Sequence, residues 1–386
     1  MATRAFLILA LTCLPSWVHP GLCPGQEATP RLARQEAGRK KLIEFGRDEP
    51  DTAFLREHIT RMEQTPFDGT VFYLRVKAAA DGDNQDRFHW QNWGQRAFTA
   101  EEFEPALEDV KATEFRRFTH NFLRFNTASK DHDWFDEFAS ILNNARVAAG
   151  FARRANELSG GKFPGLCFDP EQYNDKLFTY AAQRDRATKS WDEYATQARQ
   201  RGRELMGAFQ EGYPDLTVFC TLGYSGAWYD AQGGKPLKDC DYGLLAPFMD
   251  GMTEAARGRT RIVDGYEIGY YLEKDQLHFG YKAMDEDLLG IVADPAKYRR
   301  VTSLGLGLWM DKNHATWDAV DVGKNHWTPE KFEPLVRKAL ELSDEYVWIY
   351  TDTRPRWWSV PDGKPVNIPA AYADAVRRAR KGLAAD

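Results

Sequence analysis

Histidine, cysteine and methionine are scarce in this chain, with 8, 5 and 7 copies among 386 residues, and no C-x-x-C or H-x-x-E spacing brings such residues together. That argues against a zinc ribbon and against a disulfide scaffold, since each needs several thiols or imidazoles at fixed intervals. Basic excess is missing as well. A net charge of −6 supplies no broad cationic face for phosphates, so nucleic acid is not an expected partner. A glycine-rich turn after the first strand-like run is also absent, which removes the usual phosphate cradle of an open nucleotide-binding sheet. No apolar run is long enough to anchor the mature chain as a spanning helix.

What is present is aromatic and acidic. Twelve tryptophans, 16 tyrosines and 23 phenylalanines accompany a 43% hydrophobic composition, enough for a large core with rings to spare for a sugar-binding cleft. The first thirty residues carry Arg4, an apolar run from Ala5 to about Val18, and a polar stretch with prolines. This is the layout of a secretory leader, taken as residues 1–28, and it predicts a secreted or periplasmic protein. Residues 29–386 then form one domain. Cys167, Cys220 and Cys240 remain, and the first two lie in apolar runs as expected buried thiols.

Eight short β-branched or aromatic runs recur: 41–50, 68–76, 121–126, 164–171, 215–225, 261–271, 301–311 and 345–353. Helical periodicity follows most of them, at 51–64, 133–156, 190–210, 243–257, 328–342 and 369–382. Eight strands alternating with helices predict an α/β fold, a (β/α)8 TIM barrel. The stretch 77–120 is too long for a plain loop and is expected to be an insertion after the second strand that forms a lid or cleft wall. The glycines of "LGLGLW" at 304–309 are read as close packing at the barrel wall.

In such a barrel, reactive groups stand at the C-terminal strand ends. These ends offer Arg47, Asp48 and Glu49; Arg75; Asn126; Asp169 and Glu171; Tyr224; Asp264 and Glu267; Asp311; Asp352 and Arg354. Acids dominate. Asp48, Glu49 and Asp51 precede a helix and read as a capping sequence. In "FDPE" and "DGYE", by contrast, an acid follows an apolar run directly, in aromatic company. Asp169 and Glu171 stand at i and i+2, so both point inward and lie no farther apart than about 7 Å. Two carboxyl groups that close resist joint ionisation, which favours one as a proton donor. A partner acid from across the barrel, best placed at Glu267, would complete the pair that glycosidic bond cleavage requires.

The strand succession, the leader, "FDPE", "DGYE" and the tryptophan-rich loops together resemble the superfamily of (β/α)8-barrel glycoside hydrolases. The runs "FGRDEPDTAFLREHITRMEQTPFDGTVFYL" and "DEYVWIYTDTRPRWW" also resemble uncharacterised secreted proteins of polysaccharide-degrading bacteria, and no motif of one specific family is matched. The resemblance implies an acid/base after the fourth strand, where Glu171 stands. It implies a nucleophile after the seventh, where Asp311 stands, or a pairing of the fourth and sixth strands through Asp169 and Glu267.

The expectation is therefore a secreted, monomeric glycoside hydrolase acting on a polysaccharide or oligosaccharide without a cofactor or metal. Glu171 is expected as general acid and Glu267 as nucleophile or base, with Asp169 tuning them. Arg47, Arg75, Trp90, Asn126, Tyr224, Trp228, Asp264, Trp309, Asp311, Asp352 and Trp357 are expected to bind substrate. The alternatives are a metal-dependent sugar isomerase or epimerase on the same barrel, and a non-catalytic carbohydrate-binding barrel.

Overall fold

The structure, a computed structural model, describes residues 40–78, 85–128, 132–352, 354–358, 363–381 and 383. The leader at 1–28 lies outside the described residues. Nine parallel strands run Lys41–Glu44 (β1), Gly69–Phe72 (β2), Phe122–Asn126 (β3), Gly165–Asp169 (β4), Thr217–Cys220 (β5), Arg261–Asp264 (β6), Thr302–Leu304 (β7), Leu306–Trp309 (β8) and Tyr346–Tyr350 (β9). Each neighbour in the order β7-β6-β5-β4-β3-β2-β1-β9-β8 is hydrogen-bonded to the next.

β7 and β8 are two halves of one stave, broken at Gly305. The lower half pairs with β6 and the upper half with β9, so this stave nearly closes the ring. The eight runs seen in the sequence therefore match the eight staves, and the fold is a (β/α)8-type barrel with helices between its strands.

Side-chain alternation sorts each stave into two faces. Ile43, Phe45, Val71, Phe122, Cys167, Phe219, Val263, Tyr346 and Trp348 turn inward and fill the barrel. Leu42, Phe72, Leu123, Leu166, Val218, Ile262 and Val347 turn outward into the core shared with the helices. Trp348 stands at the centre of the interior, its Nε1 donating to the Gly265 carbonyl at 2.8 Å. A Cβ on Gly307 would meet that indole at 2.7 Å, which is why "LGLGLW" needs a glycine there.

The helices carry local start signals. Asp51 caps Thr52–Met62 by accepting from the Phe54 amide at 2.7 Å. Ser190 and Glu193 form a reciprocal capping box for Trp191–Gly212. The helix expected from 133 starts later, as Ala139–Leu158, because Asp133 and Asp136 fold the preceding residues into a turn. The expected lid is only partly that. Glu104–Ala112 is a helix packed between Thr52–Met62 and Ala139–Leu158, so it is the ordinary crossover between β2 and β3. The segment around 87–93 is what reaches the barrel mouth. Cys167, Cys220 and Cys240 are buried free thiols. No described helix is long and apolar enough to cross a membrane.

Candidate active site

Glu267 is delivered to the mouth by a turn that the sequence "DGYE" makes possible. A side chain at Gly265 would collide with the Cys220 carbonyl at 2.5 Å, and Tyr266 adopts a left-handed backbone (φ 43°, ψ 63°). A bulky residue in that region is uncommon and is held there by its surroundings. Asp264 holds it: its carboxylate accepts from Ser225 Oγ at 2.5 Å, the Ser225 amide at 3.0 Å and the Tyr266 amide at 3.2 Å. The Glu267 amide is fixed to the Thr221 carbonyl at 3.1 Å.

Glu171 comes from just past β4, two staves away from β6. Its amide donates to Asp169 Oδ1 at 3.2 Å. Glu171 and Glu267 are close enough for their carboxyl groups to act on each other electrostatically. Both residues are half-buried. Burial, followed by the Asp169 charge, pushes Glu171 up to about 7. Burial and the charges of Glu171 and Asp169 likewise raise Glu267 well above the usual carboxylate range. Such a pair titrates as a unit.

Arg124 organises the wall beside them. It projects inward from the middle of β3 and reaches Asp169 Oδ2 at 2.6 Å, Glu49 Oε2 at 3.3 Å, Tyr173 Oη at 3.0 Å and Asn126 Oδ1 at 2.9 Å. Its guanidinium lies over the Phe45 ring, 4.9 Å from the centroid. The Tyr173 hydroxyl donates to Asp169 Oδ2 at 2.7 Å. Glu49 also meets Arg87 at 3.5 Å and lies 3.8 Å from His89 Nε2. His89 is fully buried, and burial together with Arg124 and Arg87 keeps its pKa well below the usual value. The imidazole is therefore neutral beside Glu49.

Aromatic rings form the opposite side and floor. Tyr270 stacks on Tyr350 at 5.4 Å, meets Trp348 at 5.2 Å and lies 5.9 Å from Trp309. Trp309 Nε1 donates to Asp311 Oδ1 at 2.9 Å, and the same oxygen receives the Asp352 amide at 2.9 Å. Burial pushes Asp311 up to about 6. Asp352 pairs with Arg47 at 3.0 Å and with His314 Nδ1 at 3.2 Å.

The structure thus brings Asp169, Glu171, Glu267, Asn126, Trp309, Asp311, Asp352 and Arg47 to the mouth, with Trp90 beside Tyr173 at 5.0 Å between ring centroids. Other expected residues lie elsewhere. Tyr224 is buried under helices, donating to Asp250 at 2.8 Å. Trp357 is buried in the core against Phe67, with ring centroids 4.8 Å apart. Asp264 faces away from the cavity and supports the Glu267 turn from behind. Arg75 extends into solvent and pairs with Asp51 and Asp86, while Trp228 packs partly buried on a helix.

Arg124, Glu49, Tyr173, Tyr270 and Tyr350 were not among the expected site residues. Arg124 had one available signal: in "NFLRFN" it shares the parity of Phe122 and Asn126. Among the described residues, no group of three or more His, Cys, Asp or Glu side chains is placed to hold a metal ion.

No family model and no curated protein matches this sequence. Among solved structures the chain is similar to one described as "Functional analysis of hyperthermophilic endocellulase from the Archaeon Pyrococcus horikoshii". The match has 12% identity, a TM-score of 0.41, and covers 86% of this chain and 87% of that one. Likeness at that level assigns neither an activity nor a residue.

Proposed function

We propose that this protein is a glycoside hydrolase acting on a polysaccharide or oligosaccharide, with Glu171 and Glu267 as its two working carboxyl groups. The observation that carries the reading is the meeting of two half-buried glutamates that act on each other at the C-terminal mouth of a barrel, within a ring of tyrosines and tryptophan. Cleaving a glycosidic bond needs a protonated carboxyl to donate to the leaving oxygen and an ionised one to stabilise or attack the anomeric carbon. Two neighbouring carboxyl groups that resist joint ionisation supply both forms at once.

Glu171 is assigned as the acid. Burial raises both carboxyl groups, Glu267 no less than Glu171, so the assignment rests on place in the fold, with Glu171 following the fourth strand and Glu267 having to give up its proton to act. Glu267, aimed by the strained Tyr266 turn, is assigned as the nucleophile. Carboxyl groups that act on each other this directly suit the about 5–5.5 Å of a retaining pair better than the about 6.5–9.5 Å of an inverting pair, which must also admit a water. The proposed course is retention. Asn126, Trp309 and Asp352 would orient sugar hydroxyls and ring faces, and the apolar leader at 5–18 supports export of the enzyme.

The test follows reducing ends released from a panel of polysaccharides by the wild type and by Glu171→Gln and Glu267→Gln, with the anomer of the first product read by NMR. The acid variant is expected to retain activity on aryl glycosides with good leaving groups, which need no proton; the nucleophile variant is not. Full activity in either variant on polysaccharide would sink the assignment.

A further inference from the structure

Tyr173, Tyr229 and Tyr271 are exposed by 39%, 49% and 47%, and they are among the few large apolar side chains left open to solvent in the described residues. They occupy two sides of the acid pair. Tyr173 stands on the β4 side against Trp90. Tyr229 lies on the helix Tyr224–Asp230, which packs against the 267–271 turn that carries both Glu267 and Tyr271. The Tyr271 phenol is pushed up to about 12 by burial, then by the charges of Glu267 and Glu171, with Tyr229 adding to them. It is therefore within electrostatic reach of the acid pair and of its tyrosine neighbour.

Rings left open beside a reactive centre are poorly explained by core packing. Their faces suit the C–H faces of sugars, and their position on both flanks suits a chain that continues past the reacting bond. The charge around them selects the kind of chain. Glu171, Glu267 and Asp169 line the centre, and Asp287 acts on the Tyr266–Tyr229 side. The arginines described at the mouth are committed internally, Arg124 to Asp169 at 2.6 Å, Arg47 to Asp352 at 3.0 Å and Arg87 to Glu49 at 3.5 Å. An anionic glycan would meet repulsion here without those cations to offset it.

We propose that Tyr229 and Tyr271 form an outer sugar platform on the β6 side, holding an uncharged residue of a glycan chain whose other flank runs over Tyr173 and Trp90. This rests on the hydrolase reading and gives it a substrate class: uncharged polysaccharides bound on both sides of the cleaved bond.

The experiment compares wild type, Tyr229→Ala, Tyr271→Ala and the two Tyr→Phe variants on β-glucan, xylan and galactomannan, with polygalacturonate and alginate as anionic polymers and an aryl glycoside as the short substrate. Binding of the same polymers to Glu171→Gln, with and without Tyr271→Ala, is read by affinity electrophoresis. The alanine variants are expected to lower the ratio of polymer to aryl-glycoside kcat/KM about tenfold, through KM, as loss of about 1.4 kcal/mol of contact would. The phenylalanine variants, which keep the ring, are expected to restore it. An unchanged ratio in both alanine variants, or a preference for the anionic polymers, overturns the platform. If Glu171→Gln binds an uncharged polymer through Tyr271 while the wild type cleaves none, the platform stands and the hydrolase reading falls. If nothing is bound or cleaved, both fall.

Discussion

Two groups of buried acids lie at the same end of the barrel and differ in one respect. Glu44, the last residue of β1, and Asp48 just beyond it are fully buried where the Glu171–Glu267 pair is half-buried, yet burial pushes Asp48 up to about 7, the same value as Glu171. Glu44 is raised well above the usual range by burial and by Asp48. Yet Asp48 is sealed: its Oδ2 accepts the Trp358 amide at 2.9 Å, and its main-chain carbonyl accepts Trp358 Nε1 at 2.8 Å. Glu171 and Glu267 are only half-buried, at the mouth among Tyr173, Tyr270 and Tyr271. Proton affinity follows burial in both places, but only access lets a retained proton reach a substrate. A raised pKa alone therefore does not mark a catalytic group.

The largest expected effect breaks the comparison at its open end. Glu171→Gln should lower kcat on polysaccharide by about 10²–10⁴-fold, whereas Asp48→Asn should leave kcat within a few-fold; equal losses would remove the distinction. The next concerns the cation that stabilises the open site. Arg124→Met leaves Asp169 and Glu49 buried without their shared partner and should cost about 3–5 kcal/mol in denaturant unfolding. A loss under about 1 kcal/mol would show that the cluster is solvated.

A third prediction uses the closed end. A carboxyl whose folded pKa is raised binds its proton more tightly folded than unfolded, so its contribution is greatest below the unfolded value and is lost as the pH rises toward about 7. Asp48→Asn removes that loss. It should therefore stabilise the protein more at pH 8 than at pH 5, by roughly 3 kcal/mol, two pKa units at about 1.4 kcal/mol each. An equal shift in Tm at the two pH values would contradict a titrating Asp48. The smallest effect is at Asp311, whose pKa of about 6 is raised by burial and restrained by the Trp309 N–H among other donors. Trp309→Phe keeps a ring, removes the donor and should cost about 1 kcal/mol, with the Asp311 titration moving upward by NMR.

Much of the fold was legible because each stave repeats the same short signal, a β-branched run ending in polar residues. Placement at the mouth was legible where parity and position agreed, as at Asp169 on β4 and Glu171 just beyond it. It was misread where a strand end was taken as sufficient. Asp264 follows the inward-facing Val263 and so faces out, and Tyr224 belongs to a helix that begins just beyond β5. Glu49 looked like part of a cap, but Asp51 alone does the capping, and Glu49 turns back toward Arg124.

By itself, then, the sequence determined the alternation of strands and helices, the inward parity of Asp169, and the turn that only glycine at 265 permits. These are local matters, decided by side-chain size and a period of two. The pairing of Glu171 with Glu267, the tie from Arg124 to Asp169 and Glu49, and the contrast between an open acid pair and a sealed one were decided by tertiary structure. Desolvation and Coulomb interaction depend on distance through space, and closing the barrel is what brings strands far apart in the chain within reach of one another's charges.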